Sequence, residues 1–260
     1  MEPLIKLKKH APSGTIILNR PERRNALSRQ LIRDLRQALE DFHLERSVRA
    51  VILTGAGASF CAGMDLQEML DTSQQPTALL QWHDDAVLYK ELLEEMLRFP
   101  KPIIAAVNGP AVAGGAGLVL AADLVVAVPE ARFGLPEPRR GLVAGLVSPL
   151  LAFRIGGGYA AKLLLTGELI AAEEAHRVNL YHEIVPENLI WARAHELATM
   201  CAKSAPESLL LTKRMLNETI GEHLGVLLAV GAATSATART TEAAAEGLKA
   251  FFEKREPKWP

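Results

Sequence analysis

Cysteine is nearly absent. Cys61 and Cys201 are the only two, which excludes a disulfide framework, and neither belongs to a CxxC or Cys/His cluster that would hold zinc. No neighbour in sequence would stabilise a thiolate, so each reads as a buried, unreactive thiol. The compartment that fits is a reducing cytoplasm. Aromatic residues are few, at 5%, while Ala, Leu and Val are plentiful. That balance disfavours a β-sandwich and favours helices packed on a sheet. There is no excess charge of either sign: the formal net charge is −1, and Lys and Arg are scattered apart from short runs such as Arg23-Arg24 and Arg139-Arg140. Nucleic acid and membrane surfaces are therefore not expected partners. No stretch approaches the roughly 18–20 uncharged apolar residues of a membrane span. The opening MEPLIKLKKHAPSG lacks the apolar core of a signal peptide.

What is present is 260 residues with 49% hydrophobic content, enough for a large core. Residues 4–8 and 14–19 read as short strands. From Ser28 to Leu44, Leu31, Leu35, Leu39 and Phe42 recur at helical spacing, with Ser28 placed to cap the start. AVILTG (50–55), IIAAVNG (103–109) and DLVVAV (123–128) read as buried strands, separated by helix-prone segments at 67–99 and 114–122. That alternation predicts βαβ units. From Gly157 the pattern turns helical, over 158–166, 171–178, 188–203, 206–220 and 222–253. An α/β core over 1–200 and a C-terminal helical region over 201–260 are expected.

Two glycine-bearing turns follow buried strands: SFCAGMDL (59–66) and NGPAVAGGAG (108–117). Glycine lets the backbone turn its N–H groups outward and lets a ligand approach closely. A following helix N-terminus adds partial positive charge. Two such N–H groups converging on one oxygen form an oxyanion hole, and losing one donor costs about 3–4 kcal/mol of transition-state stabilisation. Neither turn matches GxGxxG or GxxxxGK[ST], so a nucleotide phosphate loop is not indicated. The plainer alternative is tight packing at strand ends.

These segments also carry a family likeness. LNRPERRNALS (18–28), SFCAGMDL (59–66), KPIIAAVNGPAVAGGAGLVLAADL (101–124) and ARFGLPEPRRGL (131–142) resemble the crotonase superfamily, the enoyl-CoA hydratase/isomerase family. LLLTGELIAAEEAHRVNLYHEIVP (163–186) and EGLKAFFEKR (246–255) extend the likeness over nearly the whole chain. The resemblance implies an α/β fold, a crotonase-like spiral of repeated ββα units with a C-terminal helical trimerisation region. It implies a homotrimer or homohexamer and an acyl-CoA substrate, with coenzyme A as part of that substrate and no metal or other cofactor. By motif position it places the oxyanion-hole amides at Met64 and Gly114. It places substrate-binding residues at Arg24, Ala26, Ala62, Asp65, Leu66 and Lys254. Surface charge is the alternative for Arg24 and Lys254, and helix capping for Asp65.

Hydration of an enoyl thioester needs a base for the water and an acid for the α-carbon. Typical hydratases of the family supply one glutamate in a GGxE pattern and another in a PE dipeptide. Glu137, in GLPEPRRG, matches the second and is the candidate catalytic residue. The first position is Gly117, and no Asp or Glu lies between Gly109 and Ala122. Pro136 and Pro138 restrain the backbone around Glu137; a capping carboxylate is its alternative reading. Asp123 reads as a cap and Glu130 as part of an exposed turn. VAGLVSP (143–149) replaces the family's PGxGG stretch beside the acyl pocket, which implies an unusual acyl group. Arg139 and Arg140 are candidates to orient Glu137 or to meet an acidic acyl tail. His176, His182 and His195 read as structural or surface residues, and Ser148 lacks a GxSxG setting. The implied activity is enoyl-CoA hydratase-like. The alternatives are Δ3/Δ2-enoyl-CoA isomerisation or decarboxylation with one glutamate, and a weakened acyl-CoA-binding protein.

Overall fold

A computed structural model describes residues 2–219 and 221–259. The chain opens with an antiparallel pair, β1 (Ile5–His10) and β2 (Ser13–Leu18). The helix α1 (Arg29–Leu44) then carries it to β3 (Ala50–Gly55). Ser28 caps α1, its hydroxyl accepting the Leu31 N–H at 3.1 Å. The predicted face is the buried one: Leu31, Ile32, Leu35, Ala38, Leu39 and Phe42 all lie in the core. Helices α2 (Leu66–Ser73) and α3 (Ala78–Arg98) lead to β4 (Ile103–Val107). Then come β5 (Ala111–Val112), α4 (Gly114–Ala121), β6 (Leu124–Ala127) and β7 (Arg132–Gly134). The sequence had implied one helix-prone stretch at 67–99; Gln74–Thr77 divides it.

The second half continues through α5 (Ser148–Ile155), α6 (Gly157–Thr166), β8 (Leu169–Ala171), α7 (Ala172–Arg177), β9 (Glu183–Ile184) and α8 (Ile190–Ala202). It ends with α9 (Pro206–Arg214), a π-helical turn over Met215–Thr219, α10 (Leu224–Ala238) and α11 (Glu242–Phe252). Ile220, the last residue of the helix expected over 206–220, lies outside the described residues. The single helix expected over 222–253 is in fact two. Thr241 breaks it by acting as an N-cap, accepting the Ala244 N–H at 3.1 Å.

Six strands form one sheet in the order β1-β2-β3-β4-β6-β9, parallel from β2 onward. A smaller sheet has the order β5-β7-β8. Parallel neighbours need long crossovers, and the helices between these strands provide them. The central strands are buried almost throughout, as a sheet covered on both faces requires. Helix α8 packs on β3, β4 and β6. Leu224, Leu228 and Ala232 of α10 join the same core as the sheet, while Ala244 and Leu248 of α11 belong to a second cluster with Met69, Trp82 and Leu142. Among the described residues no helix is long and apolar enough to cross a membrane.

Candidate active site

Both glycine turns leave the carboxyl ends of neighbouring strands, β3 and β4, where ligands of open α/β sheets gather. They are zipped together. Phe60 and Cys61 each donate a backbone N–H to Pro110 O at 3.1 Å, and Val112 N–H donates to Cys61 O at 2.9 Å. A Cβ on Gly115 would stand 2.2 Å from Cys61 O, so only glycine permits this approach. Gly63 has φ +91°, and a Cβ there would lie 3.0 Å from the Gly114 nitrogen, which measures how near the turns come.

Two asparagines fix the turns from beneath. Asn25, at φ 55°, spans Ala56 O, Ser59 O and Phe60 O through its Nδ2 at 2.8–3.2 Å, and its Oδ1 accepts the Arg20 N–H at 2.9 Å. Asn108 Oδ1 accepts the Gly55 N–H at 3.0 Å, and its Nδ2 donates to Gly57 O at 2.8 Å. Neither asparagine stood out in the sequence.

Leu27 N–H donates to Gly63 O at 2.8 Å and Asp65 N–H to Leu27 O at 3.0 Å. Those bonds bracket Met64, whose own N–H donates to no acceptor among the described residues, as is also true of Gly114 N–H at the start of α4. Ala113, just before α4, holds φ 54° and ψ −124°. That is a strained conformation for a residue with a Cβ, and such strain gathers at functional sites.

Met64 and Gly114 line one cavity of about 1060 Å3. This is at the upper end for small-molecule sites and suits a long, extended ligand. Arg24, Ala26, Ala62, Asp65, Leu66, Lys254 and Glu137 line it as well, so the structure brings every candidate residue together. The Asp65 carboxylate is already engaged: it accepts from Arg20 Nη1 at 2.5 Å and caps α2 through the Gln67 N–H at 2.9 Å. Arg24 and Lys254 are exposed and both have positive φ.

Glu137 begins a short 3-10 turn ending at Arg140. Gly141, at φ 65°, closes it, and α11 presses on it so closely that a Cβ on Gly247 would lie 2.2 Å from Arg140 O. Glu137 is half-buried, and its Oε2 is sealed from solvent without a hydrogen-bond partner. Burial pushes its carboxyl up to about 7, against smaller opposing pulls from its own backbone N–H and from the Arg140 charge. A carboxyl poised near neutrality suits both giving and taking a proton. Arg140 lies over the Phe251 ring, 4.8 Å from its centroid, and Arg139 Nε donates to Thr166 O at 3.1 Å.

The space at Gly117 is not empty. Tyr89, on α3, sends its hydroxyl there: a Cβ on Gly117 would lie 2.1 Å from it. That hydroxyl donates to Gly114 O at 2.5 Å. Tyr89 is buried and lines the cavity. Burial, then the nearby Cys61 and Glu137 charges, push its phenol well above the usual range. It is a neutral hydrogen-bond donor at the position where the family resemblance had implied a carboxylate. Nothing in the sequence pointed to it.

The remaining candidates are structural. Burial pushes the Cys61 thiol up to about 12. His182 Nδ1 accepts the Val125 N–H at 2.9 Å, and His195 stacks on Trp191 while bonding Ser13 Oγ at 2.8 Å. Asp123 accepts the Ile103 N–H at 2.8 Å and pairs with Lys213 at 2.7 Å.

Free amides at the meeting of two turns, beside a carboxyl near neutrality, belong to enzymes that polarise a carbonyl while moving a proton next to it. The enoyl-CoA hydratase/isomerase family profile matches residues 11–260, and the chain belongs to that family. A Thermus thermophilus protein provisionally named an enoyl-CoA hydratase is 43% identical over 246 residues, covering 95% of this chain and 96% of that protein. A short-chain-enoyl-CoA hydratase of Clostridium acetobutylicum is 30% identical over 251 residues, covering 96% and 94%. The crystal structure of an enoyl-CoA hydratase from Mycobacterium avium superposes with a TM-score of 0.87 at 31% identity, covering 100% of both chains. The fold is that of the crotonase superfamily, and the protein is an enoyl-CoA hydratase-like acyl-CoA enzyme.

Proposed function

We propose that this enzyme hydrates an enoyl-CoA with Glu137 as its one acid/base, the thioester oxygen resting between the N–H groups of Met64 and Gly114. The carrying observation is the buried, unpartnered Glu137 oxygen in the same cavity as two unengaged amides. Water attacks the β-carbon as Glu137 takes its proton, and the double-bond electrons move onto the thioester oxygen. The amides stabilise that enolate. Glu137 then returns the proton to the α-carbon, and the enolate electrons collapse onto the new C–H bond. One carboxyl serves both steps because it stands near neutrality.

Arg24, Ala26, Ala62, Asp65, Leu66 and Lys254 line the CoA-binding part of the cavity, with Asp65 acting through its cap and its ion pair. The apolar residues left exposed on α10, such as Val226 at 67% and Val230 at 59%, fit a trimer or hexamer interface. The compartment we assign is the cytoplasm.

Double-bond isomerisation is the second reading. The phenol at Gly117 favours it, because moving a proton between two carbons requires only one carboxylate. Crotonyl-CoA hydration, followed by loss of the conjugated-thioester absorbance, and 3-enoyl-CoA isomerisation should be run side by side. Hydration abolished in Glu137→Gln supports the first reading. Isomerisation without hydration selects the second. Hydration that persists in Glu137→Gln rejects the role of Glu137.

A further inference from the structure

Most arginines along the cavity are spoken for. Arg23, Arg24 and Arg132 are exposed, Arg255 is paired with Glu246 and Glu253, and Arg139 donates to Thr166 O, while Arg140 lies over the Phe251 ring and its charge acts on Glu137, its Nε buried without a hydrogen-bond partner. Arg239 differs. It is the residue that ends α10, at the break made by Thr241. It is half-buried and lines the cavity. Its guanidinium has no hydrogen bond or ion pair among the described residues.

The neighbouring carboxylate is already taken. Asp85 accepts from Arg29 Nε at 2.6 Å, Arg29 Nη2 at 2.7 Å and Gln81 Nε2 at 2.8 Å. Asp85 is thus fully engaged by Arg29 and Gln81 and acts on Arg239 only through its charge. Glu68, which accepts the Arg29 backbone N–H at 3.0 Å, does not line the cavity. Burial draws Arg239 down only to about 10, so it stays charged at neutral pH. A partly buried charge without a partner gains from a ligand anion that completes it. One turn back on α10, Ser235 lines the same wall and donates to Val143 O at 3.3 Å, in the loop that departs from the family's glycine-rich stretch. Met69, Leu142 and Leu146 supply apolar wall.

We infer that Arg239 receives a carboxylate at the far end of the acyl chain, so that the enzyme is selective for thioesters of dicarboxylic acids. This rests on reading the cavity as an acyl-CoA site. A guanidinium matches a carboxylate in a two-bond fork, and the apolar wall carries the methylenes between.

The test is calorimetric titration of the full chain with two matched pairs of saturated thioesters: hexanoyl-CoA against adipyl-CoA, and octanoyl-CoA against suberyl-CoA. None has a double bond, so Glu137 chemistry does not enter. At one chain length or both, the carboxyl-bearing member should bind roughly tenfold to a hundredfold more tightly. Arg239→Met should erase that ratio, and Arg239→Lys should keep part of it. Equal or weaker binding of the carboxyl-bearing member at both lengths in the unmodified protein overturns the inference without any variant. So does a preference that survives Arg239→Met in a natively folded protein. Binding of the thioesters with no preference at either length sinks this inference alone; failure of all four thioesters to bind sinks the acyl-CoA reading with it.

Discussion

Replacing Glu137 by Gln should make the protein more stable while making it inactive, and the gain should depend on pH in a defined way. In the folded chain the carboxyl is pushed up to about 7 from an ordinary value of 4.5. Between those values the unfolded chain releases a proton that the folded chain retains. The folded state therefore loses relative stability as pH rises from 4.5 to 7, and the loss is constant above that. Each pH unit of difference is worth about 1.4 kcal/mol, so the burden at pH 8 is of the order of 3 kcal/mol. Gln cannot ionise and escapes it. Its amide adds an unpartnered donor, but that cost does not vary with pH. Urea unfolding of both proteins at matched concentration, at pH 5 and pH 8, reads the difference. The Gln variant should gain about 2–3 kcal/mol on the parent in going from pH 5 to pH 8. An unchanged difference would mean that Glu137 ionises like an exposed carboxylate.

Because the base form begins the reaction, kcat/KM should rise with pH through about 7 and level off above; a pH–rate profile flat from 5 to 8 argues against Glu137 as the base. Gly117→Ala places a Cβ 2.1 Å from the Tyr89 hydroxyl and should destabilise the protein by about 1–3 kcal/mol. Adding Tyr89→Phe leaves contacts of 3.2–3.3 Å, so thermal denaturation should show much of the loss recovered. Gly63→Ala meets both a φ of +91° and the Ala113 Cβ at 2.7 Å. It should part the two turns and lower kcat by about a hundredfold, measured in the same hydration assay.

The parts of the site written in local backbone chemistry were readable in the sequence. Ser28 and the Leu31, Leu35, Leu39 and Phe42 spacing located α1. The two glycine turns and the proline-flanked Glu137 located the cavity, because turns and flanking prolines act within a few residues of themselves. Tyr89 was not readable, since it reaches Gly117 only through the packing of α3 on α4, and a tyrosine on a helical face carries no signal of what it will touch. Asn25 and Asn108 escaped notice for the same reason: each holds a distant segment. The break between α10 and α11 did have a signal, Thr241 followed by Glu242 in a first turn, and missing it hid Arg239. The acidic-tail contact considered for Arg139 and Arg140 is the one we propose for Arg239, which that break places at the cavity wall.

The central claim is that Glu137 moves a proton at the α-carbon of a bound acyl-CoA. Exchange of the α-protons of butanoyl-CoA in deuterated water, followed by proton NMR, observes that step without requiring water addition or a double-bond shift. The enzyme should catalyse the exchange, and Glu137→Gln should slow it by about a hundredfold or more. Exchange at an undiminished rate in the Gln variant would contradict the account.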